Sequence, residues 1–154
     1  EIEILVKQPG PELLSVEAFD PGLSDAGLDE GDIVAFFFDR GTNALLDWTS
    51  FVEVIDGTFG SAVILPNWNN AFTTLVLEIL EPFDMNITPG VTSFRIKDDV
   101  DSPVQTQGVD SLPTVGTRVL SGSFSLARCS AGYVYRQNVA DCLPCGPGNF
   151  DAAD

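Results

Sequence analysis

The sequence predicts an all-β protein: an antiparallel immunoglobulin-like β-sandwich, followed by the start of a small disulfide-rich module. Three observations carry that expectation. Short segments rich in β-branched and aromatic residues recur along most of the 154-residue chain, separated by Gly, Pro, Asn and Asp clusters. Two of these segments alternate apolar and polar residues with a period of two, and none shows a sustained helical stripe. The only three cysteines, Cys129, Cys142 and Cys145, fall together near the C-terminal end in a C-x12-C-x2-C-G-P-G pattern.

Taken in order, the strand segments are 13–19 (LLSVEAF), 32–38 (DIVAFFF), 51–55 (FVEVI), 62–65 (AVIL), 73–80 (TTLVLEIL), 91–97 (VTSFRIK) and 117–126 (TRVLSGSFSL). In the fifth, Leu75, Leu77 and Ile79 alternate with Val76 and Glu78; in the sixth, Phe94 and Ile96 alternate with Arg95 and Lys97. NALLDWTSF makes a short helical turn at most. These patterns place Val34, Phe36, Phe38, Leu75, Leu77, Ile79, Phe94 and Ile96 in the core. A sandwich over 11–126 follows, with 1–10 as a linker or the end of a preceding module and 127–154 as the start of a cysteine-rich module. No cysteine precedes Cys129, so apolar packing alone must hold the core.

The second segment ends in Phe36, Phe37 and Phe38. Consecutive strand residues face opposite ways, so one face of this strand carries aromatic surface that a solvated sheet rarely shows. The expectation is an assembly contact, with that face covered by a neighbour from outside the domain.

Charge narrows the partners. Asp and Glu number 23 against 7 Lys and Arg, a net charge of −16. Such a surface repels nucleic-acid phosphates and anionic lipid. No apolar run approaches the ~18–20 residues of a membrane span. Histidine is absent, which removes Ser-His-Asp and Cys-His triads and most zinc sites. No sequence feature marks two carboxylates as a catalytic pair, so the reading is non-enzymatic. The chain starts at Glu1 without a methionine; if it is secreted, its leader lies upstream. Three cysteines near the end of the chain point to a fragment of a longer extracellular protein, cut inside its second domain.

Order in the motifs adds a resemblance. Gly31-Asp32, Phe38-Asp39, Thr42-Asn43, Trp68, the Leu75–Ile79 strand and Ser121-Gly122-Ser123-Phe124 follow one another as in the repeats of sexually-induced and mastigoneme-type surface proteins of heterokont algae. The chain resembles them over roughly 11–126, and its cysteine pattern is similar to the epidermal-growth-factor-like or ephrin-receptor-like modules with which those repeats are combined. The FDRGTNALLDW stretch is shorter than the family's. The resemblance implies a structural subunit of an extracellular filament such as a tubular flagellar hair, acting through contacts with copies of itself or neighbouring subunits. The alternative is a cell-surface module for adhesion or for binding glycan or another ligand, with calcium as an optional partner.

Further site expectations concern ligands and modification. Asp20, Asp25, Asp29 and Asp32 crowd the turn between the first two strands, and Asp98 and Asp99 follow the sixth. If these two regions meet at one end of the sandwich, they offer oxygen ligands for a weak extracellular Ca²⁺ site; solvated, turn-forming aspartates are the plainer reading. Asn86-Ile87-Thr88 is an N-glycosylation sequon with Pro89 directly after it. Trp48 and Trp68 are either sugar-stacking residues or, more ordinarily, core packing. Cys129 and Cys142 are expected to pair, closing a loop that removes roughly 3 kcal/mol of unfolded-state entropy. Cys145 then bonds a cysteine beyond Asp154.

Overall fold

The structure is a computed structural model that describes residues 7–20, 28, 30–109 and 111–124, with the backbone of 133–136 and 141–144. It is all-β. Strands β1 (Leu13–Phe19), β2 (Ile33–Phe38), β3 (Val52–Ile55), β4 (Val63–Trp68), β5 (Thr74–Glu81), β6 (Ser93–Ile96) and β7 (Thr117–Gly122) form one sheet in the order β3-β6-β7-β1-β2-β5-β4. Among the described residues the only helical turn is a 3₁₀ turn at Trp48–Ser50, inside the NALLDWTSF segment.

Two expectations need correction. The sheet is mixed rather than antiparallel, because β1 and β7 run parallel. The two layers of an immunoglobulin-like sandwich are replaced by a single curled sheet, a half-barrel, closed on its hollow side by loops. The physical cause lies in β7. Its first half, Thr117–Val119, pairs with β6, and its second half, Leu120–Gly122, pairs with β1. One strand therefore belongs to both groups of strands and keeps the sheet continuous.

The hollow face holds the core. Val34, Phe36, Phe38, Leu75, Leu77, Ile79, Phe94 and Ile96 are all buried, as the period-two reading places them. An aromatic run crosses the interior: Trp48 meets Phe59 edge-on at 5.0 Å, Phe59 lies 5.8 Å from Phe94, and Phe94 meets Phe36 edge-on at 5.3 Å. Phe51 and Val104, from loops, and Phe124, just after β7, are buried against the same core. Burial of each such side chain stabilises the fold by about 1.5–3 kcal/mol.

Strand β4 runs further than the sequence suggests. Pro66, Asn67 and Trp68, expected in a turn, pair with Leu77, Val76 and Leu75. Proline is tolerated here because β4 lies at the sheet edge and has a neighbour on one side only. The turn itself is Asn69–Thr73, where the Asn69 side-chain oxygen accepts the backbone N–H groups of Thr73 and Thr74 at 2.8 and 3.1 Å.

Strand direction defines two ends. The lower end, where β1 begins, carries 39–51, 69–73 and the described residues 97–109 and 111–116; the upper end carries 56–62, 82–92 and the described residues 20, 28 and 30–32. Outside the main sheet, Tyr133–Arg136 and Asp141–Pro144 pair as a hairpin, with Tyr135 opposite Cys142. The expected cysteine bonds lie outside the described residues.

Where β7 leaves the sheet, Gly122 has φ 81°, and a Cβ built there would sit 2.2 Å from the Ala18 carbonyl oxygen. Backbone strain and the clash act together. Gly122→Ala is expected to lower stability by about 2 kcal/mol or more, read as a reduced urea midpoint with the slope unchanged.

Candidate interaction face

The outer face of the sheet is the strongest candidate for a functional surface, and its residues follow from register. On β2, Ile33, Ala35 and Phe37 alternate with the core residues and face outward. Ala35 stands opposite Glu17 on one side and Val76 on the other. Ile33 stands opposite Phe19 and Glu78, and Glu78 in turn is opposite Leu65 of β4. The result is an apolar strip across four strands. Ala35 is buried at its centre, Phe19, Ile33, Phe37 and Val76 are half-buried, and Leu65 is 49% exposed. Glu17 and Glu78 place two carboxylates within it.

This corrects the assembly residues expected from sequence. Phe36 and Phe38 are inside the core, 0% and 4% exposed, and Phe38 packs on Trp68. Only Phe37 of the three belongs to the outer face. Leu65 and Val63 were not singled out by sequence reasoning; their exposure depends on β4 being an edge strand, which no local pattern reveals.

The acidic positions divide. Asp20 and Asp32 flank the last β1–β2 pair, Phe19 opposite Ile33, at the upper end, and both are buried, 6% and 1% exposed. Asp98 and Asp99 follow β6 at the lower end and are exposed. The two regions expected to meet are therefore separated by the length of the sheet, because β6 runs opposite to β1. Asp25 and Asp29 lie outside the described residues. No group of three or more Asp, Glu or Cys side chains suited to a metal ion occurs among the described residues.

Both tryptophans are committed to packing. The Trp68 indole N–H donates to the Leu45 carbonyl at 2.9 Å, and Trp48 packs edge-on against Phe59. At the lower end an open depression of about 680 Å³ is lined by Leu45, Leu46, Asp47, Ser50 and Asp99–Ser102. Asp47 there accepts the Thr49 hydroxyl at 2.9 Å. A smaller cleft of about 330 Å³ at the upper end is lined by Leu28, Ile87, Thr88, Pro89 and Gly122–Phe124.

Several motif residues turn out to hold loops. The Thr42 backbone N–H and hydroxyl both donate to the Phe72 carbonyl, at 2.9 and 3.0 Å, and the hydroxyl accepts the Ala44 N–H. The Asn43 side chain donates to the Pro103 carbonyl and accepts the Gln105 N–H. Thr42-Asn43 thus joins the β4–β5 hairpin to the 97–116 connection. Phe72 and Ala44 take positive φ, 56° and 50°, within this junction. At the opposite motif, Ser121 donates through its hydroxyl to the Val16 carbonyl, and the Ser123 N–H donates to the Ala18 carbonyl.

Comparison of the chain with protein families, curated proteins and solved structures finds no match.

Two measurements follow from this geometry. Asp39 accepts the Glu12 backbone N–H at 2.8 Å and pairs with Arg40 at 3.0 Å. The Arg40 guanidinium, and then that N–H, hold its carboxyl below the ordinary aspartate range. A depressed carboxylate adds stability above its unfolded pKa and loses it as pH falls through the lower folded value. Asp39→Asn is expected to lower stability slightly at pH 7. In denaturant midpoints measured along a pH series, the gap from the parent should close below about pH 4.

Asn86 is exposed, with its backbone fixed by reciprocal 2.9 Å bonds to Thr58, and Thr88 is exposed two residues on. Expression through a eukaryotic secretory pathway is expected to give a glycosidase-sensitive mass increase that both Asn86→Gln and Thr88→Ala abolish.

Proposed function

We propose that this chain is a structural module of an extracellular filament, of which a tubular flagellar hair is the specific candidate, and that it acts by protein–protein assembly. The observation that carries the reading is the four-strand apolar strip around Ala35, with Phe37 and Leu65 presented outward. An apolar sheet face of this kind gains free energy when a neighbour covers it. The resemblance of the motif order to algal surface-protein repeats points the same way.

A protomer of net charge −16 repels its copies at long range. At physiological salt that repulsion decays over about 8 Å, so apolar burial at close contact outweighs it. A stable contact should bury more than about 1,000 Å² in total. Glu17 and Glu78 set the terms of such a contact. They need paired or solvated positions at its rim, which favours an offset arrangement over two strips stacked centre to centre.

The test is self-association measured by sedimentation velocity across a concentration series. Phe37→Asp is expected to leave the thermal unfolding transition in place while weakening association at least about tenfold, which corresponds to about 1.4 kcal/mol. Phe37→Leu should associate as the parent does. A parent that stays monomeric at high concentration, or a Phe37→Asp variant that assembles normally, would replace this reading with the cell-surface adhesion module.

A further inference from the structure

The chain enters and leaves the sheet at opposite ends of two neighbouring strands. It comes in through Gln8, whose carbonyl accepts the Leu112 N–H at 2.9 Å, and begins β1 at the lower end. It leaves β7 at the upper end through Gly122 and Ser123. Because β1 and β7 are parallel and adjacent, tension between the two sides of the chain pulls β1 downward and β7 upward along their shared ladder.

That direction matters physically. A hairpin pulled open from its free end loses its bonds one after another, each under the whole load. Parallel neighbours drawn apart along their length must lose all their bonds within one short displacement. The ladder here comprises Val16 opposite Leu120, Glu17 opposite Ser121 and Ala18 opposite Gly122. Two side chains and one further backbone bond reinforce it. The Arg118 guanidinium donates to the Leu14 carbonyl at 3.2 Å below it, the Ser121 hydroxyl donates to the Val16 carbonyl at 3.1 Å within it, and the Ser123 N–H donates to the Ala18 carbonyl at 3.1 Å above it. The Arg118–Glu12 ion pair spans 3.6 Å on the same side. Val16, Ala18 and Leu120 are buried, so the ladder is screened from water on its inner side.

We infer that the β1–β7 pair is a mechanical clamp, which lets the module transmit tension along the chain without opening. This rests on the filament reading in one respect: load reaches the module only when both sides of its chain are held. Resistance to force depends on the unfolding rate under load, and so on which bonds break at the barrier, rather than on total stability.

The experiment is single-molecule extension of the full 154-residue chain, held by its two termini. It requires no assembly, so its outcome is separate from that of the self-association test. The parent is expected to open at a distinct force peak. The Arg118→Ala/Ser121→Ala double variant should open at a clearly lower force, with a severalfold faster unfolding rate at any given load. Asn69→Ala removes the bonds that close the β4–β5 turn, away from the clamp, and should reduce the chemical-denaturant midpoint while leaving the opening force unchanged. Gradual extension of the parent without a peak would overturn the inference. So would Asn69→Ala weakening the chain under load as much as the double variant does.

Discussion

The division of β7 between two neighbours is the constraint on which the rest of the structure depends. A strand has one row of bonds on each side, and β7 uses one edge for β6, with the ladder over Thr117–Val119, and the other for β1, with the ladder over Leu120–Gly122. Leu120 also bonds on the β6 side, its N–H donating to the Thr92 carbonyl and its carbonyl accepting the Gly90 N–H. Without the β1 edge of β7, β3, β6 and β7 would be detached from the other four strands. The shared arrangement keeps seven strands in one curled surface and gives the hollow face its single core. The Ser121 hydroxyl bond holds the β1 half of the strand, and the tight turn at Gly122 with the buried Phe124 fixes where it leaves the sheet.

A half-barrel leaves its hollow side to be closed by loops, and this explains why so many polar motif residues are structural. Thr42, fully buried, and Asn43 hold the 39–51 connection against both the β4–β5 turn and the long 97–116 connection. Ser111 does similar work, its hydroxyl accepting the Thr106 N–H at 2.8 Å. Buried hydroxyls of this kind stabilise by satisfying backbone groups that loops cannot pair among themselves. Phe51, Trp48 and Val104 then supply the apolar lid that these bonds position.

Charge is unevenly distributed along the strand axis. Lys7, Arg40, Lys97 and Arg118 lie toward the lower end, as does Arg95 in the second half of β6, where it pairs with Glu53. Described acidic residues at the upper end include Asp20, Glu30, Asp32, Asp56, Glu81 and Asp84, and among the described residues of the seven-stranded sheet and its connections no Lys or Arg is found there. Repulsion between copies is therefore weaker for contacts on the sheet face than for contacts between two upper ends. The apolar strip on β1, β2, β5 and β4 sits on that face.

The sequence by itself determined the class and the inward face. Alternation in 73–80 and 91–97 selects Leu75, Leu77, Ile79, Phe94 and Ile96 for the core because strand side chains alternate with a period fixed by the backbone. The same rule allowed only one of Phe36 and Phe37 to be inside; the structure assigns Phe36 to the core and leaves Phe37 outside. Exposure of Asn86 was legible too, since the sequon lies among turn-forming residues. Strand order was not. Parallel pairing of β1 with β7 joins residues about a hundred positions apart, and no local pattern records which distant strand supplies the missing bonds. Tertiary structure alone separated Asp98 and Asp99 from Asp20 and Asp32, because which end a loop occupies depends on the direction of every strand before it. Tertiary structure also carried β4 through Pro66, a residue that local propensity excludes from strands and that an edge position permits.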